Sequence, residues 1–396
     1  MENPISAIPT IWSNKVAVEE IGGIPFKMYV ERPKRISDIF PFHRLWGARP
    51  YVIQGDRVLT FEDLNRFVRE KIKSLVSEGV KSGDKVFIIG WNSPDWVINF
   101  WATVCIGAVP VAANAWWSEH ELSDALNALK PVLILADKRA LSKVPSMWRV
   151  GIWENQLDNS SKATDVDSKV STLSTYENEP AAVIFTSGTD GKAKAVVLAH
   201  RSLLATLQML LHISRNLPHQ VNENSGEIIL HTGPLFHIGG AGAIMRGVIM
   251  GNTLVMPEGR FDPADTLALI ERHKISRWNA VPTMITRLLE HPDVQHRDLR
   301  SLRTLTLGGA PVFPELYKLI RNGLPGVETK VATGYGLTEN CGQATAASGA
   351  DTANRPGTCG RPLPCVELKI VHREGMTDGE VLVRSPSQML GYYGID

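Results

Sequence analysis

Residues 181–202 read AAVIFTSGTDGKAKAVVLAHRS: an apolar run, a small polar loop holding two lysines, and a second apolar run. Ala182, Val183, Ile184 and Phe185 make a short β-rich stretch and Ala195, Val196, Val197 and Leu198 another, which suits a buried pair of strands. Between them Thr186, Ser187 and Thr189 offer hydroxyls, Gly188 and Gly191 let backbone N–H groups approach an anion, and Lys192 and Lys194 bring positive charge. A polyphosphate fits such a loop, although a solvated Gly-rich hairpin tip would read the same way taken alone. It is not a Walker loop: no Gly stands five residues before Gly191, and Ala193 follows Lys192.

Outward from this stretch the chain alternates strand and helix. Upstream, Thr60 with Asp63 opens an amphipathic helix to about residue 77. Strand 85–90, the Ser93-Pro94 helix start, strand 109–112, the Ser118/Glu121 capping box and strand 132–136 follow. Downstream come a helix over 203–215, strand 228–232, a helix from about 240, strand 253–256, helix 263–273, strand 277–281, helix 282–290 and strand 302–307. Alternation of this kind means parallel sheets. Residues 1–50 show no usable periodicity, and 153–180 are polar enough for an exposed connection. Beyond Gly342 the helical pattern ends, and 366–371 with 380–384 read as a hairpin.

Composition narrows the class. The 396 residues exceed one ordinary core, and 43% hydrophobic with 21% charged residues is globular. A formal net charge of +1 gives no electrostatic case for nucleic acid. Cys105, Cys341, Cys359 and Cys365 lack Cys-x-x-Cys spacing, and the N-terminus lacks an apolar signal core, so a cytoplasmic location is expected. The apolar run 96–117 is long enough to span a bilayer, but Asn99, Gly107, Pro110 and Asn114 divide it into a helix and a buried strand, so no transmembrane segment is expected.

Four more segments sharpen the picture: Pro234-Leu235-Phe236-His237, Leu307-Gly308-Gly309-Ala310-Pro311, Gly334-Tyr335-Gly336-Leu337-Thr338-Glu339, and Gly379-Glu380-Val381-Leu382-Val383-Arg384 followed by Gly391-Tyr392-Tyr393. In this order and spacing, from about residue 50 to the end, the chain resembles the adenylate-forming superfamily of acyl-CoA synthetases, peptide-synthetase adenylation domains and firefly luciferase. Within it the sequence is most like bacterial fatty-acyl-CoA ligases. The resemblance implies an α/β fold of two doubly wound α/β subdomains packed together plus a small β-barrel-like subdomain, with approximate limits 50–180, 181–342 and 343–396. Residues 1–396 would form the large N-terminal domain, with the C-terminal lid domain absent and activity expected to be impaired for that reason.

The implied reaction uses ATP and Mg²⁺ to turn a medium- or long-chain, or similarly apolar, carboxylate into an acyl-AMP, which coenzyme A or a carrier-protein thiol then captures. Thr186, Ser187, Gly188, Thr189, Gly191 and Lys194 would hold the phosphates; Gly309, Ala310, Pro311, Gly334, Tyr335 and Gly336 would take the adenosine; Thr338 would bond the α-phosphate and Glu339 hold Mg²⁺. His237, Gly239 and Gly308 would line the acyl site, with His237 positioning rather than transferring a proton, and Trp116 and Trp117 are candidates for an apolar tunnel. Peripheral membrane contact and oligomeric state stay open. The loop departs from the family pattern at Asp190, Ala193 and Ala195. A carboxylate at position 190 about 4 Å from a phosphate would cost on the order of 4 kcal/mol, unless it faces solvent or pairs with Lys192. A non-catalytic nucleotide- or acyl-binding protein is the alternative.

Overall fold

A computed structural model describes residues 12–154, 177–187, 193–324, 326–327, 330–372, 374–375 and 378–395. Two large sheets organise them. A seven-stranded sheet runs, in spatial order, Gly391–Tyr392, Ala193–Ala199, Pro180–Ser187, Val109–Ala113, Lys85–Ile89, Leu133–Ala136, Val150–Gly151. A nine-stranded sheet runs Arg361–Pro362, Thr345–Ser348, Val331–Thr333, Thr304–Leu307, Arg277–Ala280, Ile228–His231, Thr253–Val255, Pro50–Gln54, Arg57–Thr60. The centre of each is parallel, which explains why strands such as Lys85–Ile89 and Val109–Ala113 read as unbroken apolar runs: helices cover both faces.

The expected helix signals hold. Ser93 Oγ accepts from Trp96 N at the start of helix Pro94–Cys105, and Ser118 and Glu121 close a capping box before helix Glu119–Leu129. The apolar run at 96–117 becomes that buried helix and strand Val109–Ala113, and among the described residues no helix is long and apolar enough to cross a membrane.

Two expectations are corrected. The sheets are not consecutive pieces of chain: the hairpin Pro180–Ser187/Ala193–Ala199 joins the first sheet through parallel pairing of Val111 with Val183 and Ala112 with Ile184, while Pro50–Thr60 crosses into the second. A limit at 180/181 therefore cuts the first sheet, because neighbours in a sheet are set by register and not by chain order. Residues 1–50 are not all irregular. Strands Val16–Ile21 and Ile24–Tyr29 pair across Gly22 and Gly23, both at positive φ as a two-residue hairpin turn requires. Ten residues from Ile36 to Leu45 then form a 3-10 helix that buries Ile36, Ile39, Phe40 and Phe42.

At the C-terminal end, Glu367–His372 and Gly379–Arg384 form the expected hairpin. With Tyr29, Met209, Ala344, Leu363 and Cys365 its base encloses a small separate core.

Candidate functional site

Parallel strands of both sheets deliver their C-terminal ends to one region, where open α/β sheets take ligands. In the first sheet, Thr186 is half-buried near the end of Pro180–Ser187 and lies opposite Lys194 in the antiparallel register. The Lys194 ammonium stands 5.7 Å from the centre of the Tyr392 ring. Tyr392 is placed by pairing with Val196, and its hydroxyl donates to Glu339 Oε1 at 2.8 Å. Glu339 is fixed from behind, its carbonyl accepting from Met389 N at 2.8 Å. Three segments distant in sequence thus set an ammonium, a phenol and a carboxylate in line. The bond to Glu339 raises the Tyr392 pKa above its ordinary value and keeps the phenol a donor.

Glu339 lies in a one-turn 3-10 helix, Thr338–Asn340, closed by Asn340 Oδ1 accepting from Leu337 N at 2.8 Å and by Cys341 at φ 59°. The Gly334–Gly336 segment before it runs against 342–345: Tyr335 N donates to Thr345 Oγ1 and its carbonyl accepts from Ala344 N. Gly308, Gly309, Ala310 and Pro311 follow the neighbouring strand Thr304–Leu307, the last three exposed at its end. Gly309 has φ 77°, a turn conformation that L side chains resist.

His237 precedes helix Ile238–Met250 in the N-cap position, but its ring makes no capping bond and leans on Phe236 at 4.9 Å between centroids. Desolvation holds its pKa below 6.5. The turn after Glu339 meets this helix, since a Cβ on Gly342 would stand 3.1 Å from Ile238 Cγ2. Gly239 and Gly308 both face open space, with nothing within 4 Å of where a Cβ would stand. Of the two tryptophans, Trp117 is a core residue packed edge-on to Phe185, whereas Trp116 is half exposed and meets Phe236 and Trp91.

Gly188, Thr189 and Gly191, together with Asp190 and Lys192, lie outside the described residues, as does the Ser187 side chain. Sequence reasoning passed over two site-forming residues. Tyr392 stood in a quoted motif without a role. Asn92 secures the loop before His237 by accepting from Leu235 N at 2.8 Å and donating to Gly233 O at 2.7 Å. Its signal was a polar residue just past the apolar strand Lys85–Ile89.

The residues present fit a single hard cation shared with phosphate. Glu339 Oε1 is engaged by Tyr392, Oε2 takes no bond among the described residues, and no group of three metal-ligating side chains occurs among them, so water and phosphate would complete the shell as Mg²⁺ prefers.

Strand-end glycine turns thus accompany the linked Lys194, Tyr392 and Glu339. The profile of the AMP-binding enzyme family matches residues 43–393, and the chain belongs to that family. It is 32% identical over 365 residues to the 4-coumarate–CoA ligase-like 9 of Arabidopsis thaliana, covering 86% of this chain and 61% of that protein. It is 27% identical over 379 residues to the long-chain-fatty-acid–CoA ligase of Bacillus subtilis, covering 85% and 66%. O-succinylbenzoate coenzyme A synthetase from Bacillus subtilis, solved with ATP and magnesium ion, superposes with a TM-score of 0.73 at 26% identity, covering 90% of this chain and 71% of that one. The chain spans about three fifths of the length of the curated relatives it matches.

Proposed function

We propose that this chain carries the adenylation site of an acid–thiol ligase, which joins a carboxylate to the α-phosphate of ATP and passes the acyl group to coenzyme A. The observation that carries this reading is the convergence of Lys194, Tyr392 and Glu339 beside the glycine turns at 308–311 and 334–336. Family membership supports it, as does the use of CoA named for the similar proteins.

In this reading Lys194 neutralises the phosphate that leaves, and Thr338, one residue from Glu339, bonds the α-phosphate under attack. Bound Mg²⁺ would add charge neutralisation at the phosphates, held by the Glu339 carboxylate. Tyr392 keeps that carboxylate aimed, through a bond that survives at neutral pH because the phenol stays protonated. Gly309 to Pro311 pass their backbone along the adenine and Tyr335 stacks on it. His237, uncommitted to capping, orients the incoming carboxylate at the mouth of the space in front of Gly239 and Gly308. Alignment and charge supply the catalysis, with no covalent intermediate on the protein.

The apolar rings of Phe236 and Trp116 at that mouth support a substrate with a hydrocarbon body next to its carboxyl group. The three similar proteins named above carry the names of unlike acids, so chain length does not follow from them. Carboxylate-dependent exchange of labelled pyrophosphate into ATP tests the reading: exchange that needs both an acid and Mg²⁺ is expected, and ATP cleavage indifferent to any carboxylate overturns it.

A further inference from the structure

One face of the nine-stranded sheet changes character halfway across. Residues in register on parallel strands share a face, and alternate residues along a strand change face. One row runs Val52, Leu254, Ile229, Arg277, Thr304. The row nearer the strand ends runs His231, Asn279, Thr306, Ala332. Val52, Leu254 and Ile229 lie in the main core, under Ile244, Met245 and Val248 of helix Ile238–Met250. The residues that alternate with these, Leu230, Trp278, Leu305 and Leu307, fill the second core on the opposite face. Past the helix edge, Arg277, Asn279, Thr304 and Thr306 are only half-buried, although a core-facing sheet would carry Val or Ile there. The side chains of Asn279, Thr304 and Thr306 bond to no described residue.

The buried end of the polar row excludes a merely solvated face. His231 is 5% exposed, and neither ring nitrogen has a partner among the described residues. Buried polar atoms without partners are a cost that native proteins rarely leave standing without a ligand or water to meet it. Along the neighbouring helix the open flank is Gly239 and then Gly242, both facing empty space, followed one turn on by Arg246. The Arg246 guanidinium makes no ion pair among the described residues and only a long 3.5 Å contact with Ser214 Oγ. Glu227, the nearest carboxylate, is bonded through both oxygens to Arg277. Burial and the charge of Arg277 push the Arg246 pKa down to about 10, a sign of an undercompensated cation. From His237 to Arg246 the helix spans about 13 Å. The strand from Gly308 down to Thr304 covers about the same length.

We propose that the acid accepted here carries a second oxygen function: a ketone about 7 Å from the reacting carboxyl, received by Asn279 and Thr306, which stand in register two residues before Gly308, or a carboxylate about 13 Å away, received by Arg246. This narrows the expectation of a bare medium- or long-chain alkyl acid, and it rests on the reading above that the His237 end receives the reacting carboxylate. Arg246 meets a distal carboxylate by charge. Asn279 Nδ2 and the Thr306 hydroxyl meet a ketone oxygen by donation, while a plain alkyl chain leaves both without partners among the described residues.

The test is calorimetric binding, to this 396-residue chain, of AMP and of acyl-sulfamoyl adenosines made from dodecanoic acid, dodecanedioic acid and 6-oxododecanoic acid, whose ketone lies about 7 Å from the carboxyl. The proposal expects one or both oxygenated conjugates to bind at least about tenfold tighter than the dodecanoyl one. Arg246→Gln should erase the dicarboxylate advantage and Asn279→Leu the ketone advantage, each leaving AMP and dodecanoyl binding unchanged. Retained AMP binding shows that a variant is folded. A dodecanoyl conjugate that binds as tightly as the others, or variants without selective effect, overturn the proposal alone. Failure of AMP and every conjugate to bind overturns the adenylation reading beneath it.

Discussion

Gly336 and Tyr392 carry opposite lessons about single residues. The motif around Gly336 suggests nucleotide contact, but the backbone has its own demand: a Cβ there would stand 2.4 Å from Gly342 O and 2.5 Å from Gln343 Cα. Both are main-chain atoms of the turn that carries Glu339 and cannot step aside cheaply. Gly336→Ala should therefore cost about 1–3 kcal/mol, read from the urea midpoint, and an unchanged midpoint would show that the turn relaxes freely. Tyr392, by contrast, earns its place through chemistry. Its folded pKa lies above the ordinary 10 because of Glu339, so the stability this contact contributes is complete below pH 10 and fades as pH rises through the folded value. Tyr392 should ionise late in an ultraviolet titration, as burial makes Tyr29, Tyr51 and Tyr317 do, so Tyr392→Phe should remove amplitude from the late phase; loss of amplitude from the ordinary phase near pH 10 instead would contradict the pair.

Elements were legible wherever burial left a clean pattern. Strands buried on both faces, helix caps such as Ser93 and Ser118, and the glycine turns at strand ends were all readable from spacing. The Val16–Ile21/Ile24–Tyr29 hairpin was not, because Val16–Ile21 is largely exposed and the buried Phe26, Met28 and Tyr29 of its partner break strict alternation; only the Gly22-Gly23 pair marked it. Nor could chain order reveal that Pro180–Ser187 pairs with Val109–Ala113, or that Thr304 and Thr306 share a face with Arg277 and Asn279, since both depend on register. That N-terminal hairpin is fastened to the start of the Pro180–Ser187 strand by Arg32, which bonds both carboxylate oxygens of Glu19 and of Glu177. The Arg32 side chain is 7% exposed. Arg32→Ala leaves Glu177 partly buried with Lys34 as its remaining ion pair, and should cost about 3 kcal/mol by chemical denaturation. A loss below a few tenths would mean the clamp is dispensable.

At the scale of the molecule, two sheets share one core, so titratable groups buried in or beside it make the stability of the whole respond to acid. His43, His200 and His231 are buried, and desolvation lowers each pKa to about 4. Each therefore contributes stability that is present above pH 6.5 and lost as pH falls toward 4, at up to about 1.4 kcal/mol per pH unit per histidine. Denaturation midpoints should drop steeply across that window, and His231→Phe should flatten the slope by about a third; a flat profile would contradict the burial of these rings. The central claim concerns the phosphates, and calorimetric titration of ATP, with and without Mg²⁺, into the wild-type chain and Glu339→Gln tests it most directly. Tight binding that Mg²⁺ strengthens in the wild type, and does not strengthen in Glu339→Gln, is the predicted result. Equal Mg²⁺ dependence in the two proteins, or no binding of ATP to either, would contradict it.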